Sequence, residues 1–257
     1  MWKIEKTKSV KLSNPILIEG MPGIGNVGKL VVDFLIEELK AEKIYDLFSY
    51  DLPNSVFVNE KNLIELPKIE IFACKQGKQE ILFLTGDVQP LSEESSYIFT
   101  QTIIDLIREE NCKQIIALGG IGLSTIPQKP KVYITGNNNK FISEFKKLNV
   151  ETQVYGVVGP IIGVSGLLLG LSKKQKIQAI SLLAETFGHP MYLGLRGARE
   201  ILKIIIKKYN FKINLKELDK EIAEIESETK SADEFFASPK HKAIQKQKKY
   251  KEMSYIG

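Results

Sequence analysis

The chain has 257 residues, 43% of them hydrophobic, with 36 basic and 31 acidic side chains and a net charge of +5. That length and apolar content suit one large α/β domain, or a domain with an appendage. No apolar run reaches the ~20 residues of a membrane span, the segment Met1-Trp2-Lys3-Ile4-Glu5-Lys6 lacks the apolar stretch of a secretory signal, and Cys74 and Cys112 are too few for a disulfide framework.

In chain order, Pro15-Ile16-Leu17-Ile18-Glu19 reads as a buried strand and the nine residues from Gly20 to Gly28 as a turn. A helix is expected over 29–41, where Leu30, Val31, Phe34 and Leu35 fall at helical spacing, and a second strand over 44–50. Residues 69–74 and 80–85 bracket Gln76-Gly77-Lys78, a hairpin signal. A long helix covers 92–111, with Ser92 as N-cap and Glu93 and Glu94 against its positive end. Residues 114–118 form an apolar strand closed by Gly119-Gly120-Ile121-Gly122. Strands are expected at 132–135 and 153–158, with a short helix near 139–148 between them. The segment 162–170 is apolar and rich in small residues, which suits close backbone packing, for instance at a subunit contact.

From Gln175 onward the pattern reads as helical, with helices at 176–186 and 196–209. A third helix starts at Asn214, where Glu217 makes a capping box and Leu215, Leu218, Ile222 and Ile225 share one face. Residues 228–238 form a polar linker. Apolar strands interleaved with helices imply an α/β fold, a three-layer sheet with helices on both faces and a C-terminal helical extension. The expected organisation is a core over 1–210, an amphipathic helix and linker over 211–237, and a basic tail over 238–257.

Gly23-Ile24-Gly25-Asn26-Val27-Gly28 matches G-x-G-x-x-G between a strand and a helix, the setting of a dinucleotide fingerprint. There Gly23, Gly25 and Gly28 would admit a pyrophosphate at the helix N-terminus. The acid that should hold the ribose is badly placed: Asp46 falls inside the second strand and Asp51 follows it. The alternative is that the glycines serve a tight strand-to-helix crossing. Gly120 and Thr85-Gly86-Asp87 lie at other strand ends, where open α/β sheets bind ligands. Asp87 could act there as a base or, as a structural residue, cap the turn ahead of Pro90. His189 and His241 are the only imidazoles, and no G-x-S-x-G turn accompanies them. This argues against hydrolase and zinc chemistry, and no cofactor or metal is expected.

All of the net charge lies in 238–257, where Lys240, Lys242, Lys246, Lys248, Lys249 and Lys251 face only Glu252; the rest of the chain is electrically balanced. A basic segment ending Met253-Ser254-Tyr255-Ile256-Gly257 is suited to an acidic protein surface. It could equally be a solvated terminus. Nucleic acid is a lesser candidate, because the body carries no net charge and no reading module.

Gly20-Met21-Pro22-Gly23-Ile24-Gly25-Asn26-Val27-Gly28, Gly119-Gly120-Ile121, Gly163-Val164-Ser165-Gly166-Leu167-Leu168-Leu169, and Leu183-Ala184-Glu185-Thr186 followed by His189-Pro190 occur in this order. Together they resemble the proteasome assembly chaperone family, in the branch with archaeal homologues, over residues 16–209. The resemblance implies a nucleoside-phosphorylase-like fold with no established active site. It also implies a homo-oligomer that acts as chaperone or adaptor for proteasome α-subunits, while the two lone cysteines and the lack of a signal stretch give the expectation of a cytoplasmic protein. Family members that touch the proteasome often end in hydrophobic-Tyr-any residue. Here Tyr255, Ile256 and Gly257 are the last three residues, so the tyrosine stands third from the end. The resemblance thus assigns partner contact to these three, with Lys248, Lys249 and Lys251 steering toward an acidic ring. The reading from the residues that competes with it is a nucleotide- or nucleoside-binding enzyme or sensor built on the glycine-rich turn.

Overall fold

The computed structural model describes residues 2–156, 158–216, 218–220 and 222–223. It divides into two units, Met1–Ile213 and Asn214–Gly257. The first unit is built on an eight-stranded mixed sheet of order β1-β3-β6-β7-β2-β8-β10-β9. Its strands are β1 (Lys3–Lys6), β2 (Ile16–Gly20), β3 (Glu42–Phe48), β6 (Ile69–Gln76), β7 (Gln79–Gly86), β8 (Gln114–Leu123), β9 (Val132–Gly136) and β10 (Gln178–Phe187). A separate two-stranded hairpin, β4 (Phe57–Val58) and β5 (Ile64–Glu65), lies between β3 and β6 in the chain.

The four central strands β7, β2, β8 and β10 run parallel, and antiparallel neighbours close both sides. Every residue of β2 is buried. Such a strand needs helices on both faces, and it has them. Helices α1 (Val27–Glu38) and α5 (Leu195–Tyr209) cover one face, while α2 (Glu93–Glu109) and α4 (Val164–Lys174) cover the other. The short α3 (Asn139–Ser143) packs beside β9 and β10. The core under α2 and α4 interleaves Leu17, Leu82, Leu84, Ile115 and Ala117 of the sheet with Phe99, Ile103, Val164 and Leu168.

Local chemistry sets several boundaries. Ser92 caps α2, its hydroxyl accepting the Ser95 amide at 3.0 Å, with Glu93 and Glu94 in the first turn. Gly77 takes φ +62° in the two-residue turn between β6 and β7. Helix α5 ends at Asn210 in the left-handed region, φ 53°. It buries Ala198, Ile201, Leu202 and Ile205 along one stripe.

Three expectations change. Residues 178–187 form a strand, β10, and not a helix. Its run Ala179-Ile180-Ser181-Leu182-Leu183-Ala184 is apolar but for Ser181, and that pattern alone does not separate a buried strand from a buried helix. Parallel pairing to β8 and antiparallel pairing to β9 decide it. Strand β8 runs on through Gly119-Gly120-Ile121-Gly122 to Leu123, so those glycines lie within a strand and do not end it. In the segment 153–158 the described residues form no strand; only Glu151, just before it, bridges to Tyr133. Strands β1, β4 and β5 were not among the expected elements; each is short and largely exposed.

In the second unit Leu218 and Ile222 are buried, and the Asn214 carboxamide accepts the Lys216 amide at 3.1 Å. Glu217, Ile225, the linker and the basic tail lie outside the described residues, so the capping box and the tail readings, Lys248, Lys249, Lys251, Tyr255, Ile256 and Gly257 among them, fall there too.

Candidate functional site

The carboxyl ends of the parallel strands gather the glycine-rich turn, the start of α4 and the loop between β10 and α5. Leaving β2, the chain makes a single 3-10 turn, Ile24–Asn26, before α1. Gly25 sits at φ +62° inside that turn, a conformation that favours glycine. Its carbonyl accepts the Gly194 amide at 2.8 Å, which ties the turn to the loop before α5.

Two of the three fingerprint glycines, Gly25 and Gly28, pack against their own chain, as do Gly20 and Gly120. A Cβ on Gly28 would strike the Leu118 carbonyl, and one on Gly20 would strike the Gly28 carbonyl. A Cβ on Gly120 would strike the Ile24 carbonyl, and one on Gly25 would reach Thr186 Oγ1 at 2.8 Å. Strand, turn and helix therefore approach backbone to backbone. Gly23 is different: nothing lies within 4 Å of the Cβ direction.

The structure does not bring Asp46 or Asp51 to this turn, and Asp87, which follows the β7 residues beside Gly20 and Met21, is bonded elsewhere. Asp46 is on β3, three strands away from β2 and so roughly 14 Å across the sheet. It pairs with Lys43 at 3.0 Å. Asp51 accepts the Ser49 hydroxyl at 2.8 Å. Asp87 ties the end of β7 to the start of β6: its carboxylate accepts the Lys68 amide at 3.0 Å, and its amide donates to the Lys68 carbonyl at 2.8 Å. Thr85 donates to Asp33 of α1 at 2.7 Å. His189 stacks on Phe187, ring centroids 5.8 Å apart, and accepts the Met191 amide at 3.2 Å through Nδ1.

The residue that sequence reasoning missed is Glu19. It closes β2 with its side chain toward α4 and is fully buried. Oε1 accepts the Met21 amide at 2.9 Å and the Ser165 hydroxyl at 3.1 Å, while Oε2 has no partner at hydrogen-bond distance. Burial pushes its pKa up to about 7, against the pull of the Met21 amide, the Ser165 hydroxyl and, more weakly, the Leu118 amide. The signal was an acid closing an otherwise apolar strand. Gln89 does a parallel job nearby. Its Nε2 donates to the Pro22 carbonyl, and its Oε1 accepts the Val164 amide at 3.2 Å at the start of α4. Glu19 and Gln89 together clamp the glycine-rich turn to that helix.

On its sheet side the glycine-rich turn is bonded and packed into its own chain, and only Gly23 faces open space. The thiols of Cys74 and Cys112 are buried, and burial raises both to about 11, so neither is a ready nucleophile at neutral pH. Among the described residues no helix is long and apolar enough to cross a membrane.

Comparison with known proteins agrees with this architecture. A model of the PAC2 family matches residues 17–232. A Methanocaldococcus jannaschii protein is 31% identical over 98% of this chain and 96% of its own length. The crystal structure of Pyrococcus furiosus PbaB, described as an archaeal proteasome activator, superposes with a TM-score of 0.84 at 28% identity, over 90% of this chain and 98% of that one. Pyrococcus furiosus PbaA, described as an archaeal homolog of proteasome-assembly chaperone, superposes at 0.75 with 23% identity, over 97% of this chain and 99% of its own, a likeness of fold.

Proposed function

The chain belongs to the PAC2 family, and we propose that it serves proteasome assembly or activation as a non-enzymatic, homo-oligomeric chaperone or adaptor in the cytoplasm. The observation that carries this is the likeness to PbaB, at 28% identity and a TM-score of 0.84 over 90% of the chain. The packing of the glycine-rich turn against its own chain supports the non-enzymatic half. Where an open α/β sheet would take a ligand, the Gly25 carbonyl bonds Gly194 and the Ile24 carbonyl packs on Gly120.

In this reading the sheet-and-helix body is a platform and the basic segment 238–257 is the contact to the partner. Tyr255 and Ile256 insert, and Lys248, Lys249 and Lys251 draw the segment toward an acidic α-subunit ring. The electrostatic part of such a contact weakens with salt, while the apolar insertion does not. The test is capture of proteasome α-rings by the full chain and by a chain lacking residues 254–257. Capture by the full chain alone supports the reading. Equal capture by both removes the tail mechanism, and capture by neither removes the proteasome role.

A further inference from the structure

The amino ends of the parallel strands form the face opposite the glycine-rich turn, and their connections are tied together. The Glu80 carboxylate, at the start of β7, accepts the Ser13 and Asn14 amides just ahead of β2. Gln114, which opens β8, donates from Nε2 to the Gln178 side chain at 3.2 Å. The Gln178 amide, opening β10, donates to the Lys113 carbonyl at 3.0 Å. Around this frame stand Lys11, Lys78, Lys113, Lys173, Lys174 and Lys176, all exposed and none in an ion pair among the described residues.

The acids of the same connections are few or engaged. Glu80 pairs with Lys75 at 2.7 Å and Glu110 with Lys6 at 3.1 Å, which leaves Glu109 at the end of α2. At the border the end of α1 adds Glu37, Glu38 and Lys40. Lysines without an acid partner therefore outnumber such acids by seven to three. Lys173 and Lys174 also suit the negative end of α4. Lys11, Lys78, Lys113 and Lys176 lie outside any helix, so helix electrostatics does not account for them. None of the exposed large apolar or aromatic side chains among the described residues belongs to these connections. The face is also concave: a crevice of about 450 Å³ is lined by Asn14, Lys75, Lys78, Gln79 and Gln114 among others.

We propose that this face binds an acidic stretch of a partner protein, an extended run of Asp and Glu whose carboxylates meet the lysines as it crosses the crevice. The chemistry selects this occupant over other polyanions. Single-stranded nucleic acid is held by stacking on aromatic rings, and the face exposes none. A bilayer surface is held by apolar side chains beside the basic ones, and these are missing too. A duplex presents its phosphates on a stiff convex rod, which bridges a crevice instead of entering it. An acidic segment is kept extended by its own repulsion and bends to follow a concave floor. There the Asn14 and Gln114 carboxamides offer further donors to its carboxylates. Each exposed pair adds little alone, and the set gives a fast, salt-sensitive encounter. The face shares no residue with the segment 238–257, so this assignment goes beyond the proposal above, and either can fail alone.

The test is fluorescence anisotropy of a labelled oligo-glutamate peptide with the full-length protein at low salt. Lys78→Glu/Lys113→Glu/Lys176→Glu reverses three charges of the face. Lys61→Glu/Lys129→Glu/Lys131→Glu makes the same change of net charge at the β4–β5 hairpin and the β8–β9 loop. The wild type is expected to bind the peptide. The face variant should lose at least about tenfold in affinity and the comparison variant less than about threefold, with far-UV circular dichroism unchanged in both. Carbodiimide coupling, which joins an amine to a carboxylate in contact with it, needs no variant and is expected to attach the peptide at Lys78, Lys113 or Lys176. Equal losses in the two variants, a face variant that binds like wild type, or coupling confined to the lysines of 240–251 would overturn the assignment. So would a wild type that binds no peptide. Duplex DNA or phosphatidylserine vesicles that bind tighter than the peptide, and are lost in the face variant, would also overturn it by giving the face to phosphate. The capture of α-rings by the full and shortened chains is read separately from all of these.

Discussion

The Glu19 carboxylate accepts the Ser165 hydroxyl at 3.1 Å, joining the end of β2 to the first turn of α4 across 146 residues of sequence. Buried among apolar side chains, this acid holds its proton up to about pH 7. An unfolded glutamate lets go near 4.5. The folded state thus binds the proton more tightly, and the contribution to stability is complete below pH 4.5 and lost as pH rises through 7. A shift of that size corresponds to about 3 kcal/mol. Denaturant unfolding at pH 5 and pH 8 should show the wild type losing stability over this interval. Glu19→Gln, which has no proton to lose, should show a flat profile there. An unchanged slope in the variant would mean that another group carries the effect.

The glycine-rich turn separates packing from ligand binding by position. At Gly28 a Cβ would meet the Leu118 carbonyl in the middle of the sheet, where backbone cannot yield cheaply. Gly28→Ala should therefore cost about 1–3 kcal/mol despite the better helix propensity of alanine. At Gly23 the backbone is extended, φ −163°, and the Cβ direction is open. Gly23→Ala should stay within about 0.5 kcal/mol of wild type. Thermal unfolding of both variants checks the contrast. A Gly23→Ala chain as stable as wild type that had lost a nucleotide-induced thermal shift would revive the ligand-binding reading of the turn.

Much of this architecture was legible along the chain because local signals agreed with the tertiary outcome. Ile16, Leu17 and Ile18 form an apolar run just ahead of a glycine-rich turn, Ser92 precedes two acids, and Gly77 sits between two apolar segments. Strand β10 was not legible, since Ala179, Leu182, Leu183 and Ala184 are strong helix formers made into a strand only by the neighbours β8 and β9. The glycines of β8 look like a terminus in sequence. In space they are the gaps into which the Ile24 carbonyl and the Leu183 side chain fit. Glu19 was passed over for a related reason. An acid after three apolar residues reads as the solvent end of a strand, and only the arrival of α4 above it makes it interior.

Asn137 is the polar hub that fixes β10 beside α4. Its Nδ2 donates to the Leu169 carbonyl at 3.1 Å, the Ser172 hydroxyl at 3.0 Å and the Ile177 carbonyl at 3.1 Å. Its Oδ1 accepts the Ala179 amide at 2.9 Å. Removing the carboxamide strands these groups together, because water cannot replace all of them inside the packed layer. Asn137→Ala should cost about 2–3 kcal/mol. Asn137→Asp should do worse above its own pKa, since it sets a negative oxygen against the acceptors Nδ2 now serves. Urea unfolding should show the midpoint falling with the slope unchanged. A loss under 0.5 kcal/mol for Asn137→Ala would show that the site relaxes or hydrates.

Glu80 acts at the acid end of the pH range. Its carboxylate takes Lys75 at 2.7 Å and the amides of Ser13 and Asn14 at 2.6 and 2.9 Å, pinning the segment that leads into β2. Lys75 first, then the two amides, draw its pKa down to about 2. A carboxyl whose folded pKa is depressed contributes stability above its unfolded value near 4.5, and that contribution goes as pH falls toward 2. The sign is opposite to that of Glu19. The two acids thus pull stability down from opposite sides of an interval near pH 5. Because Glu80 lies at the protein surface, the effect is screened, and Glu80→Gln should cost on the order of 1 kcal/mol at neutral pH. The same variant should match wild type near pH 2. Melting temperatures of wild type and Glu80→Gln from pH 2 to 6 test this: convergence at the acid end is expected, and a constant gap across the range would assign the loss to packing instead of charge.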